Sequence, residues 1–427
     1  MTITTYERVN FNVFYGILLL IIALIPFDFY RIGIPFFEEM QVFLVALLTL
    51  TWLLDFNYKR KYDTFIKNGR SKLLLVFYLL YFSYVLGMFY TDNLEAGFSI
   101  LERKTLLLLS PLLFLTFNEY LFTPKRQKIL FYTFVFSCLL YVLLMFGIAI
   151  NNFARTGDWF YFFYGKLSLW KSPTYISIFL VFSNTIIYYY AFISSETSKK
   201  EKRILLSVLF LNLVYIILLQ SKAAILIQFI LLILFVVYIY LYGEKIKKML
   251  YVMLFPILIM VVLFLALPQQ ANRIDYAVRE FKNSELLTEG STGVRLMVWK
   301  SSLKLFKDKP IFGYGLGDAQ DSLNELIAKN DTINWSYFPH SHNQYLQIML
   351  QLGLVGLIAF LSIFYVSIRV CFSGSGKGFL LLFFIIPLML DMLTDVFTEN
   401  QSVIFFIYFF LPVLYFIVTS EKKLKEP

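Results

Sequence analysis

Charge is scarce in this chain, and histidine and cysteine are almost absent. Only 15% of its 427 residues are charged, whereas a soluble globular domain has about 25%. The two cysteines, Cys138 and Cys371, fall in separate apolar runs, so the sequence indicates neither a disulfide nor a cysteine metal site. The composition argues against an ordinary soluble domain. The two histidines, His340 and His342, stand together in one short polar segment.

Long apolar runs make up most of the remaining sequence. Hydrophobic residues account for 59% of the chain, and runs of about 20 residues recur throughout, as in helical membrane proteins. These runs do not alternate in polarity as the strands of a membrane barrel do. We predict an all-α polytopic membrane protein with about twelve transmembrane helices, the first apolar run being retained as a span. The predicted spans are roughly 11–29, 36–54, 73–90, 101–118, 129–150, 174–194, 204–220, 223–242, 249–267, 344–368, 378–395 and 402–419.

The basic residues that give the chain its net charge of +10 are distributed as the predicted topology requires. With the N-terminus inside, more than half of the lysines and arginines fall on short inner segments, as the positive-inside rule requires. The basicity therefore indicates membrane orientation, and it does not indicate nucleic-acid binding. We expect a multi-pass membrane protein whose one long polar segment lies on the outer side of the membrane.

One long polar segment interrupts the spans. We divide the chain into residues 1–267 with nine spans, 268–343 as a large outer loop, and 344–427 with three spans and a cytoplasmic tail. A loop of this length is usually functional. Within it, Val294, Met297, Val298 and Leu305 can share the apolar face of a helix lying along the headgroups. Several charged residues sit at outer span ends and could converge on one cavity: Glu102, Arg103, Lys104, Lys171, Lys222, Asp391, Asp395 and Glu399.

The segment Pro339-His-Ser-His-Asn-Gln meets a predicted span at the outer membrane surface. A neutral imidazole can take a proton from a hydroxyl near pH 7, so His342 is our candidate general base. An interfacial helix cap is the structural alternative. A His-x-His zinc site is another, although no third ligand is spaced nearby as such sites usually require.

Two cations are candidate phosphate ligands. Arg295 offers a planar fork of donors matched to phosphate, and Lys222 lies between two apolar runs with almost no loop. Both could instead extend to the headgroups. Trp299 could stack on a sugar ring. The glycines of 313–317 lack the Lys-Ser/Thr of a phosphate loop, and we interpret them as a turn that lets backbones approach closely.

These motifs resemble the bacterial O-antigen ligase and O-antigen polymerase superfamily. The resemblance rests on His342-Asn343 followed by nine residues and Gly353-x-x-Gly356, on the Arg295-x-x-x-Trp299 helix and on the Pro310-x-x-Gly-x-Gly315 turn. It covers roughly residues 205–360, and the span plan extends it over the chain. Two departures are Lys222, where the family has an arginine, and Leu357-Ile358, where its motif tends to continue Thr-Gly.

The resemblance implies an inverting glycosyltransferase that needs no metal or cofactor. Its donor would be a glycan on undecaprenyl pyrophosphate, and its acceptor a lipid A–core sugar. The resemblance also implies a multi-pass protein of the bacterial inner membrane, with its active site facing the periplasm. His342 would be the catalytic residue, while Arg295, Lys222, His340, Asn343 and Trp299 would bind substrate. The alternatives are a polysaccharide polymerase, a ligase for another acceptor such as a protein, or a membrane transporter. A transporter would need charges in mid-helix and pseudo-symmetric halves, and the sequence has neither.

Overall fold

The computed structural model describes residues 3–27, 36–67, 69–241, 258, 291–329, 340–372 and 376–423. Within these ranges the protein is all-α, as predicted. The earlier helices are α1 (Thr5–Leu24), α2 (Phe36–Leu54), α3 (Tyr58–Lys67), α4 (Ser71–Gly87), α5 (Leu94–Arg103), α6 (Leu106–Leu115), α7 (Pro124–Thr156), α8 (Tyr164–Leu167), α9 (Pro173–Tyr188), α10 (Lys199–Leu218) and α11 (Lys222–Leu241). The later ones are α12 (Ser291–Asp308), α13 (Asp318–Ala328), α14 (Gln344–Cys371), α15 (Gly378–Asp391) and α16 (Gln401–Lys423).

Among the described residues, seven helices are long and apolar enough to cross a membrane. The count is eight if Met40–Leu54 and Tyr58–Ile66, which meet at a bend of 102°, form one broken span. A polytopic helical protein is therefore confirmed, with fewer such helices in this part of the chain than the twelve predicted. The predicted ninth span, 249–267, lies almost wholly outside the described residues.

The predicted fourth span is not one helix. It is divided into α5 and α6, each of ten residues, at Lys104 and Thr105. Ten helical residues extend about 15 Å, which is half of a hydrocarbon core about 30 Å thick. The break places the charged sequence Glu102-Arg103-Lys104 at a helix end, where Lys104 can reach partners outside its own helix.

The chain divides into two compact units. The first comprises residues 1–58, 118–270 and 382–388, and the second comprises 59–117, 271–381 and 389–427. In the first unit, buried amides join three helices: Asn212 of α10 donates to Asn184 of α9 (3.0 Å), and Asn184 donates to Gln228 of α11 (3.0 Å). Hydrogen bonds of this kind hold membrane helices together where lipid supplies no hydrophobic driving force between them. Lys222 is the exposed first residue of α11.

In the second unit, α14 is broken at Gly353, whose φ of 62° and ψ of −154° are not helical. The turn 310–315 pairs with this break: the Tyr314 N–H donates to the Leu350 carbonyl at 2.7 Å, and the Leu354 N–H donates to the Pro310 carbonyl at 2.9 Å. A Cβ on Gly353 would overlap the carbonyl oxygen of Ile311. The glycine turn and the Gly-x-x-Gly motif are thus two sides of one close backbone contact, as the sequence predicted for the turn.

Helix α12 has the predicted apolar face, but that face packs on protein. Val298 and Leu305 are buried in a cluster with Leu323 of α13 and Leu350 of α14. Lys300, Lys304 and Lys307 of the same helix are exposed. The expectation that this apolar face lies along the headgroups is therefore wrong: helices α13 and α14 cover it, and α12 is fixed against the start of α14.

Candidate active site

The two histidines lie in a strained turn that leads into α14. Asn343 caps the helix, because its side-chain oxygen accepts the N–H groups of Tyr345 (2.9 Å) and Leu346 (3.1 Å). His342 has a φ of 51°, in the left-handed region that residues with a Cβ rarely adopt. The indole N–H of Trp299 donates to the His342 carbonyl at 3.2 Å. Such a conformation persists only where surrounding contacts fix it, and the cap and Trp299 supply those contacts.

A second turn, residues 392–395, faces the first. Three consecutive carbonyls of this turn accept hydrogen bonds. The Gln344 N–H donates to the Met392 carbonyl (2.9 Å), and the side-chain amide of Asn343 donates to the Leu393 carbonyl (3.0 Å). Nε of Arg295 donates to the Thr394 carbonyl (3.0 Å). Gln344 also accepts the N–H groups of residues 397 and 398 through its side-chain oxygen. This clamp fixes the position of Asp395 relative to the histidines.

Asp395 lies between the two imidazoles. Its Oδ1 is 3.7 Å from Nδ1 of His342 and 3.8 Å from Nε2 of His340. The side chains of Asp395, His340 and His342 are 10%, 16% and 25% exposed, so His342 is the most accessible member. A carboxylate beside one ring nitrogen orients an imidazole and stabilises its protonated form, and the other ring nitrogen then serves as the base.

The hydrogen bonds of His340 fix its protonation. The backbone N–H of His342 donates to Nδ1 of His340 at 3.2 Å, so that nitrogen is unprotonated and the proton is on Nε2, facing Asp395. Burial lowers the pKa of His340, and the neighbouring His342 lowers it further. Burial raises the pKa of Asp395, but the two imidazoles and the N–H of Val396 together hold that pKa below its ordinary value. The geometry therefore favours a neutral His340 beside an ionised Asp395.

The sequence offered no third ligand near the two histidines, and the fold supplies one. Ligand atoms of His340, His342 and Asp395 all lie within 4.8 Å of one another, a composition that fits a metal ion. Nε2 of His340 can coordinate a metal only when it carries no proton. Because Nδ1 of His340 accepts a hydrogen bond from the His342 N–H, the imidazole proton is on Nε2. The hydrogen bonding thus favours a carboxylate–imidazole pair over a metal centre.

Arg295 and Trp299, both predicted from sequence, reach this site. Arg295 is half-buried on α12, its Nε bonds the 392–395 turn, and its charge is close enough to lower the pKa of His340. Trp299 is half-buried one turn further along, where it holds the His342 backbone. Asn343 uses both ends of its amide for structure. Lys222 belongs to the first unit, and its role as a phosphate ligand stays a prediction.

A buried ion pair supports the far end of the Asp395 segment. Lys104 is fully buried, and its Nζ donates to the carbonyl and hydroxyl oxygens of Thr398 and lies 3.7 Å from Oε1 of Glu399. Arg103 lies 4.0 Å from the other carboxylate oxygen of Glu399. Of the charges predicted to converge on one cavity, Arg103, Lys104 and Glu399 lie together in the second unit, and the cavity itself stays a prediction.

Sequence reasoning omitted Asp395 from the site. The sequence marks it only as one of several charges near the end of a predicted span. The available signal was the spacing Asp391, Asp395, Glu399, which marks acidic residues in an otherwise apolar segment. Only the fold shows which of these carboxylates faces the histidines.

Known proteins that are similar to this chain are described as ligases and transferases of glycans. Residues 207–361 match the family model described as O-antigen ligase. A 107-residue stretch is 35% identical to a "Putative polysaccharide ligase" of Rickettsia conorii and covers 24% of this chain and 25% of that protein. A 118-residue stretch is 34% identical to the ComP-specific O-oligosaccharyltransferase of Acinetobacter baylyi and covers 27% of this chain and 21% of that protein.

These similarities span about a quarter of the length of the curated relatives. They agree with the motifs, since the matched region contains Lys222, Arg295, His342 and both motif glycines. They also favour the ligase branch over the polymerases. The resemblance to the O-antigen ligase family is confirmed, and residues 207–361 are the part of this chain that carries it.

Proposed function

We propose that this protein is a membrane glycosyltransferase of the O-antigen ligase type, which moves a glycan from a lipid-linked pyrophosphate donor to an acceptor hydroxyl. The observation that supports this most strongly is the pairing of His342 with Asp395, beside Arg295, at the start of α14. A metal-independent displacement needs two groups: a base, here oriented by a carboxylate, and a cation such as a guanidinium near the leaving group.

The donor we propose is a glycan on undecaprenyl pyrophosphate, at the periplasmic face of the inner membrane. The pyrophosphate is already a good leaving group, and its departure places negative charge on the bridging oxygen. Arg295 would stabilise that charge, because a fixed guanidinium in a partly buried site needs little reorganisation.

The displacement follows from these positions. His342 takes the acceptor hydroxyl proton on Nε2, while its Nδ1 proton faces Asp395. The acceptor oxygen forms a bond to the anomeric carbon, and the bond from that carbon to the pyrophosphate oxygen breaks, its electron pair leaving with the pyrophosphate. The anomeric centre is inverted in this single step. The proton on His342 is then lost to solvent, since the ring is 25% exposed.

Two acceptors fit this chemistry. A lipid A–core sugar is the acceptor that the family name favours, and the product would be lipopolysaccharide. A serine or threonine hydroxyl of a protein is the second, because one relative is by name an O-oligosaccharyltransferase specific for ComP. Loss of the gene distinguishes them: lipopolysaccharide reduced to bare core, with carrier-linked glycan accumulating, supports the first. Unchanged lipopolysaccharide with loss of a glycoprotein supports the second.

The catalytic proposal is tested on purified protein in nanodiscs with a lipid-linked glycan donor. We expect His342→Gln to abolish transfer, because glutamine cannot take the proton, while thermal unfolding stays near that of the wild type. Arg155→Gln, an exposed substitution on α7, is the control. Full transfer by His342→Gln would remove His342 from the mechanism.

Two further measurements separate the roles of metal and arginine. A chelator should leave the rate unchanged; inhibition that a divalent ion reverses would restore the His340–His342–Asp395 metal site. Arg295→Lys should raise the donor KM and lower kcat, because a lysine offers no planar fork. Wild-type kinetics in that variant would assign Arg295 to the clamp on Thr394 alone.

A further inference from the structure

The first unit contains a groove that the proposed reaction does not use. It has a volume of about 700 Å³ and lies between α1, α7 and α10. Cavities that hold organic ligands commonly measure roughly 300–1,000 Å³. All of its lining residues belong to the first unit, and none belongs to the turns that carry His342 and Asp395.

The groove has a polar end and an apolar length. One face of α7 lines it from Lys125 and Lys128, through Tyr132 and Phe136, to Leu140. This face extends about 22 Å at 1.5 Å per residue, more than the roughly 15 Å depth of one leaflet's hydrocarbon. Ala23 and Phe27 complete the wall from the α1 side. The lining therefore changes from charged to apolar along the helix, as a lipid does from headgroup to chain.

The polar end carries a net positive charge. Lys128 pairs with Glu201 at 2.8 Å and also donates to the carbonyl of Glu196 at 3.1 Å, so that cation is largely compensated. Lys125 is exposed at the mouth. Helix α10, which lines the groove through Glu201, carries further cations in its first turns: Lys199, Lys200, Lys202 and Arg203. A clustered positive charge next to an apolar groove attracts an anionic lipid headgroup.

We propose that this groove binds one phospholipid with an anionic headgroup, its phosphate beside Lys125 and one acyl chain along α7 toward Leu140. By the positive-inside pattern, this end of α7 is cytoplasmic, so the lipid comes from the inner leaflet. The site is separate from the proposed glycan transfer and does not depend on it. Its occupant is distinguished from ordinary boundary lipid by selectivity for negative charge.

Native mass spectrometry of the purified full-length protein tests this proposal. The protein is delipidated and then given phosphatidylglycerol or phosphatidylethanolamine with identical acyl chains. We expect one phosphatidylglycerol to be retained, and Lys125→Gln to weaken its binding roughly fivefold, the effect of one cation at a lipid surface. Arg155→Gln, which removes one exposed charge at the other end of α7, should leave binding unchanged.

A second variant tests the apolar part of the groove. Ala23→Trp places a large ring in the groove and should displace the lipid, while Val13→Trp, on an exposed part of α1, should not. Ala23→Leu is the milder substitution if the first variant unfolds at a lower temperature. Equal retention of the two lipids, or retention unaffected by Lys125→Gln and by both Ala23 variants, would overturn the proposal. Binding of glycerol phosphate as tightly as the lipid would also overturn it, since the apolar groove would then contribute nothing.

Discussion

Replacing Asp395 with asparagine removes one negative charge beside His342 and preserves most of the local structure. The asparagine oxygen can still accept the N–H of Val396, which the carboxylate accepts at 2.9 Å. At 3.7 Å from His342 and an effective dielectric constant of about 20, the carboxylate stabilises a full positive charge on the imidazole by about 4 kcal/mol. The transition state carries only part of that charge. Half of the energy, about 2 kcal/mol, corresponds to a roughly 30-fold lower kcat.

The assay is steady-state transfer of a fluorescent glycan from its lipid pyrophosphate, with the protein in nanodiscs. We expect kcat to fall and the donor KM to stay within about twofold, because a charge that acts only in the transition state does not affect ground-state binding. Asp321→Asn, an exposed carboxylate of α13, is the matched control and should transfer normally. If Asp395→Asn keeps a wild-type kcat with normal thermal unfolding, Asp395 does not assist His342, and the proposed pairing of the two residues is wrong.

Three further predictions concern the supports of the site. Trp299→Phe keeps an aromatic side chain but removes the indole N–H that donates to the His342 carbonyl, a hydrogen bond of about 1 kcal/mol. We expect kcat to fall severalfold in the same assay, and an unchanged kcat would exclude this role. Folding lowers the pKa of His340, so the stability that its neutral form provides should be present above pH 6.5 and decrease as the pH falls below that value. Thermal unfolding measured between pH 7.5 and 5.5 should show this loss of stability, and the loss should be smaller in His340→Asn. Gly353→Ala introduces a Cβ at a φ of 62° and against a carbonyl oxygen, and we expect the free energy of unfolding to fall by at least about 2–3 kcal/mol, as at other strained backbone positions. Gly147→Ala, with open space around the new Cβ, should unfold like the wild type.

Much of the architecture follows from the sequence because it depends on local properties. Helical spans require only long apolar runs, so α7 and α14 lie where hydrophobicity placed them. The apolar face of α12 could also be predicted from the sequence, since Val298 and Leu305 recur with helical spacing. The sequence did not indicate what covers that face. A helix presents the same pattern to lipid and to protein, and only the tertiary structure placed α13 and α14 against it.

The site divides in the same way. The sequence alone determined that His340 and His342 hold the only imidazoles and that Arg295 and Trp299 begin one amphipathic helix. It also indicated that the glycines of 313–317 form a turn in which backbones approach closely, although only the fold showed that this turn contacts Gly353. Composition and short spacing carry this information because the residues concerned are close in the chain.

The tertiary structure decided which acid serves the base. Asp391, Asp395 and Glu399 are spaced alike in sequence, yet only Asp395 approaches the imidazoles, while Glu399 faces Lys104. That choice depends on the hydrogen bonds that three carbonyls of the 392–395 turn accept from α12 and from the start of α14. These segments are far apart along the chain. Their register is set by packing, which no local pattern of residues encodes.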